Sequence, residues 1–178
     1  MLILPPLQNL RLGAVMQFLA SGTEITQAQL PHNLLIAGLF AFNLLMAPAV
    51  LALKIGMVGL LIPLFSSSAL VAYLYWRSKK TASWFVDMHW KLAFRHSQWL
   101  MLGYAISATL IFLAWLISLT AHEASMRHII WTALTRIAIL PTLIAVMVTA
   151  ISEASAISLA TKREVPDKLA SRFPPPHV

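Results

Sequence analysis

The side chains of this sequence that could carry chemistry are His32, His89, His96, His122, Glu123, His128, Arg136 and Glu153. Imidazoles at helix ends can ligate haem iron or a divalent metal. His89 and His96 are seven positions apart, so a helix puts them on one face. His32, at the start of the first long apolar run, is expected at the same end. These three are the candidate cofactor-binding residues. A haem inside a bundle needs two histidines of matched depth on facing helices, whereas these fall at helix ends. No cofactor is therefore expected, and haem b or a divalent metal stands as the competing reading. His122, Glu123 and His128 make a candidate metal set of the kind zinc accepts. Their spacing is not H-E-x-x-H, and a short turn collects polar residues anyway.

Arg136 and Glu153 bracket a charge-free run from Ile137 to Ile151. On one helix they lie roughly 25 Å apart, too far to pair, so each needs its own partner or its own route to water. Arg136 falls at a depth matched by Asn43, by Ser66, Ser67 and Ser68, and by Thr109 on other apolar runs. The expectation is one intramembrane polar layer acting as interhelical glue, with hydrogen bonds of about 0.6–2 kcal/mol each. The rival roles for Arg136 are a counter-charge for an anionic substrate, a quinone or a partner's carboxylate, and an interfacial arginine that snorkels to water. Glu153 sits among small hydroxyl residues, and Ser152, Glu153 and Ser155 are expected to face a partner helix. No chain of titratable groups links Glu153 to Arg136, so no proton path through the membrane is expected.

The elements that position these residues follow from composition. With 59% hydrophobic and 11% charged residues and a mean hydropathy of +0.77, the chain is too apolar for an ordinary soluble domain. Its formal charge of +7 is explained by basic residues gathered in loops on one side of a membrane, so nucleic acid is not an expected partner. The absence of cysteine excludes disulfides, thiolate metal sites and a cysteine nucleophile. Four apolar runs of spanning length occur at about 33–53, 55–76, 99–120 and 128–151, the last continuing as helix to about 163. Lys54 and Gly56 mark a very short turn, so the first two spans form an antiparallel hairpin. Between the second and third, Asp87, Lys91 and Arg95 share one helical face beside an apolar one, so a juxtamembrane helix from Ala82 should run directly into the third span.

Residues 1–31 are expected to form an N-terminal interfacial segment, with an amphipathic helix over Leu7–Ala20, a capping box at Ser21–Glu24 and a break at Pro31. They lack the basic start of a signal peptide and are expected to remain on the mature chain. Residues 164–178 read as a proline-rich, extended and disordered tail. The basic residues Arg77, Lys79, Lys80, Lys91 and Arg95, with Arg11 and those after 161, place both termini in the cytoplasm. The expected fold class is all-α, an integral membrane four-helix bundle in a bacterial inner (cytoplasmic) membrane. The expected function is a non-catalytic accessory subunit packing against lipids and larger integral membrane subunits of a respiratory- or secretion-type complex. The alternative is a small carrier or a haem-, quinone- or metal-binding redox protein using Arg136 and the helix-end histidines. No nucleophile and base can be placed together, so an enzyme is not expected.

Overall fold

The computed structural model describes residues 11–12, 15–53, 57–80 and 82–175. Four helices in it are long and apolar enough to cross a membrane: Gly22–Val50, Val58–Ser78, Trp84–Ser118 and Ala124–Thr161. The first begins as α1 (Gly22–Gly38), where Ser21 and Glu24 form the expected capping box. The Ser21 hydroxyl accepts from Glu24 N, and the Glu24 carboxylate accepts from Ser21 N at 2.8 Å, which satisfies two otherwise orphaned amides. Pro31 does not end this helix as expected but lies inside it, fully buried. Its ring is enclosed by neighbours that hold the helix together despite the missing N–H. The helix widens to a π-helical stretch over Leu39–Met46 and ends as α2 (Ala47–Ala52). The expected turn at Lys54–Gly56 lies outside the described residues.

After a short 3₁₀ segment at Met57–Leu60 comes α3 (Leu61–Ser78), and then α4 (Trp84–Ser118), a single helix of 35 residues. The juxtamembrane segment and the third span are thus one rod of roughly 52 Å at helical rise. The fourth span is not continuous. It divides at Ile139 into α5 (Ala124–Ala138) and α6 (Leu140–Thr161), because Pro141 has no amide proton to continue the ladder and takes the first turn of a new helix instead.

Side-chain contacts fix the directions. His32 meets His89 and Asn43 meets Tyr104, so the first helix runs parallel to α4. Asn43 also meets Ser67 while Leu35 packs in one cluster with Leu74, which makes α3 antiparallel to the first helix. Ser107 meets Thr142 and His96 meets Glu153, which makes α6 antiparallel to α4. Ser21, Lys79, Ser83 and Thr161 therefore gather at one end of the bundle.

That end carries a cap that sequence patterning did not anticipate. Arg11–Leu12 and Val15–Gln17 are not helical; they are strands β1 and β2, paired antiparallel with β3 (Glu164–Pro166) in the order β1-β2-β3. Helical spacing lost to the ladder offered by β3, which takes up backbone groups that a lone short helix would leave to water. Of the rest of the expected interfacial helix, residues 18–20 are irregular rather than helical, and residues 7–10, 13 and 14 lie outside the described residues. The C-terminal segment is not an extended tail. After β3 it forms α7 (Asp167–Arg172), and Val165, Leu169 and Ala170 pack into one core cluster with Phe85, Met88, Leu92, Ala156 and Ala160. Trp84 Nε1 donates to the Phe173 carbonyl at 2.9 Å, and Arg163 turns the chain back with a φ of 61°, the left-handed conformation that closes a helix end. Residues 176–178 lie outside the described set. Basic residues around this end rest on aromatic rings, Lys80 on Trp76 at 3.6 Å and Arg77 on Trp90 at 4.9 Å.

Gly103 sets the closest approach of α4 to α6. A Cβ added there would stand 2.4 Å from Ala145 Cβ and 3.1 Å from the Pro141 carbonyl oxygen. Gly103→Ala should therefore push the helices apart at a destabilisation of about 1–3 kcal/mol. Thermal unfolding in detergent should show a lowered Tm, and adding Ala145→Gly should recover most of the loss.

Candidate functional site

The capped end of the bundle brings four titratable side chains into one hydrogen-bonded line. Glu153 of α6 is fully buried. One carboxylate oxygen accepts from His32 Nδ1 and the other from His96 Nδ1, both at 2.6 Å. His32 Nε2 lies 3.0 Å from His89 Nδ1. His32 and His89 are as deeply buried as the carboxylate, while the His96 side chain keeps 20% exposure. The line His96–Glu153–His32–His89 thus joins α4, α6 and α1, and returns to α4.

Each position follows from local sequence. His89 and His96 share a face of α4, as their spacing predicts. His32 sits two residues past the middle of α1, beside the buried Pro31. Glu153 lies on the stripe Thr149, Glu153, Ala156, Ala160, all buried, whose small members let α4 and α1 approach closely. The expectation that Glu153 faces a partner helix is corrected: it points into its own bundle, where imidazoles of α1 and α4 take both of its oxygens and offset the loss of hydration. Ser152 and Ser155, the other members of that expected face, do lie toward the outside, half-buried and exposed respectively.

The proton inventory is constrained. With Glu153 ionised, both Nδ1 atoms donate to it, and these are charge-assisted bonds, stronger than the neutral ones usual between membrane helices. A neutral His32 then has a bare Nε2 that accepts from His89 Nδ1–H. A doubly protonated His32 donates to His89 instead. In both cases His89 Nε2 is buried with no hydrogen-bond partner among the described residues. No group of three or more His, Asp or Glu among the described residues is arranged to hold a metal ion. The reason at this cluster is visible: the carboxylate lone pairs that would ligate an ion point at ring nitrogens at hydrogen-bond distance.

The remaining sequence candidates are not drawn in. His122, Glu123 and His128 are all exposed at the far turn, and Glu123 precedes α5 without capping it through its side chain. The expected polar layer is partly assembled. Asn43 donates to Ser67 at 3.4 Å and accepts from Tyr104. Ser66 and Ser68 are half-buried beside Ser67. Thr109 and Arg136 do not join the layer. Thr109 is exposed and bonds the Ala105 carbonyl of its own helix. Arg136 is exposed in the last turn of α5, with no ion pair among the described residues. A second polar contact that sequence reading missed lies between α4 and α6, where Ser107 Oγ and Thr142 Oγ1 are 2.9 Å apart.

His96 opens on a groove of about 350 Å³ between α4, α6 and β3. Leu92, Ile151, Leu159 and Pro166 form its apolar walls, Ala156 its floor, and Ser152 and Ser155 its polar edge. Ser152 donates to the Val148 carbonyl, and neither serine is bonded to His96 among the described residues, so no nucleophile–base pair is formed. Comparison with protein families, with curated proteins and with solved structures finds no match for this chain. Its site is therefore read from geometry alone.

Removing one partner from a buried charged constellation leaves the others uncompensated, at about 3–5 kcal/mol. Glu153→Ala should lose that much stability in detergent unfolding, whereas Arg136→Ala should change it by less than about 0.5 kcal/mol, as befits an exposed side chain with no ion pair among the described residues. Equal losses for the two variants would show that the cluster does not clamp the helices.

Proposed function

We propose that this chain is a non-catalytic integral membrane subunit, built to pack against larger partners in the inner membrane with both termini cytoplasmic. One observation carries the reading. Both oxygens of its buried carboxylate are taken by imidazoles of its own helices, so the strongest polar constellation locks the bundle and leaves no activated group for a reaction. Four apolar helices supply the membrane face, with large side chains such as Phe65, Ile144 and Ile151 turned outward. The described residues of the cap pair and pack with one another through β1-β2-β3 and α7.

Arg136 supports the partner half of the reading. It lies six residues before Thr142, which pairs with Ser107, and so roughly 9 Å further from the cap. An outward-facing guanidinium on an apolar helix calls for a carboxylate of a neighbouring subunit or a headgroup reached by snorkelling. Its placement opposite the cap fits an outer-leaflet contact.

Solubilisation of native membranes in mild detergent, followed by purification through a tag on this chain, tests the proposal. The expected result is a stable assembly several times larger than the chain itself, weakened by Arg136→Ala. A solitary, stable monomer under the same conditions contradicts it.

A further inference from the structure

The clamp leaves one side open, at His96. Its Nδ1 is committed to Glu153, while the ring lines the groove between α4 and α6, and its Nε2 has no partner among the described residues. We propose that this groove is a binding site for the ring headgroup of a membrane quinone or its quinol. The inference rests on the membrane placement proposed above and on nothing about the partner assembly.

A neutral His96 that donates Nδ1–H to the carboxylate presents a bare Nε2, which accepts from a quinol hydroxyl. A protonated His96, held by the same carboxylate, presents Nε2–H, which donates to a quinone carbonyl. One side chain backed by Glu153 thus serves both forms of a ring whose oxygens alternate between hydroxyl and carbonyl. Ser155, exposed at the rim, offers a second polar contact.

Charge decides against a phosphate headgroup. No lysine or arginine lines the groove among the described residues. A phospholipid phosphate would find at most the His96 imidazolium, whose charge is already paired with Glu153, whereas a neutral ring needs no counter-charge. Shape agrees. A volume of about 350 Å³ lies near the lower end of small-molecule pockets, roughly 300–1,000 Å³, enough for a ring and not for its prenyl tail. The tail has its own path. From Ile151 at the groove, α6 exposes Met147 and Ile144 at helical spacing, an apolar strip leading away from the cap into the charge-free run. Depth agrees as well. His96 and Glu153 stand where the charged stretch containing Lys91 and Arg95 gives way to the apolar stretch beginning at Trp99. That is where a polar ring on an apolar tail meets a membrane surface.

The full chain in phosphatidylcholine nanodiscs, titrated with decylubiquinone while intrinsic tryptophan fluorescence is followed, tests the site. Saturable quenching is expected, displaced by decylubiquinol and not by added phosphatidylglycerol. His96→Ala should weaken binding at least tenfold. Ser155→Phe, which fills the groove from an exposed position and leaves the clamp intact, should do the same without lowering the Tm. Quenching that rises in proportion to partitioned quinone and is identical in both variants overturns the proposal, as does displacement by phosphatidylglycerol. Loss of partners in a copurification would leave these outcomes unchanged, so the two readings fail separately.

Discussion

A carboxylate with no exposure dictates the architecture of the capped end. Burying an ionised carboxylate without partners costs several kcal/mol even after relaxation, so Glu153 can be ionised only where both of its oxygens are satisfied. His32 and His96 supply those bonds from two different helices. Sliding α1 or α6 by one turn would move a partner by roughly 5.4 Å and leave a buried group bare. The registers of α1, α4 and α6 are therefore set by one residue. His89 then has to be buried too, because it is the neighbour that His32 Nε2 finds.

The rest of the fold accommodates that constraint. Water must be kept from the cluster, and the cap does this with Phe85, Met88 and Leu92 below and Val165, Leu169 and Ala170 above. The far half of the bundle needs no such device. There α4 and α6 are held by close approach at Gly103 and by the Ser107–Thr142 contact, and the chain has already turned back between Ser118 and Ala124 before α5 reaches the break at Ile139–Pro141. Polar bonding is thus concentrated at one end and apolar packing dominates toward the other. The open edge of the cluster, at His96, lies on the boundary between the two regimes.

Much of the fold is legible in the sequence, and the parts that are not share a cause. Apolar run length and charge placement foretell the four long helices, and the face shared by Asp87, Lys91 and Arg95 foretells that α4 begins well before Trp99. The Ser21–Glu24 box is local chemistry and reads directly. What fails is everything decided by a distant segment. The strands at Arg11–Leu12 and Val15–Gln17 exist because Glu164–Pro166 lies beside them, and α7 forms because its apolar residues find Phe85 and Leu92. Pro31 reads as a break, but burial holds the helix through it. Glu153 was legible as a residue in need of a partner and not as one facing inward. The spacing of Thr149, Glu153, Ala156 and Ala160, together with histidines expected at the same end, was the available signal. Choosing between that stripe and the Ser152–Ser155 face requires knowing which helix packs where.

Side-chain nitrogen NMR on the full chain with labelled histidine, reconstituted in lipid, tests most directly whether one carboxylate binds two imidazoles at the core of this bundle. The expected spectrum shows His32 and His96 Nδ1 protons strongly downfield, both of which move in Glu153→Gln, while His122 and His128 stay in place. A Glu153→Gln spectrum in which only one of the two resonances moves, or neither, would contradict the shared carboxylate on which the fold's capped end depends.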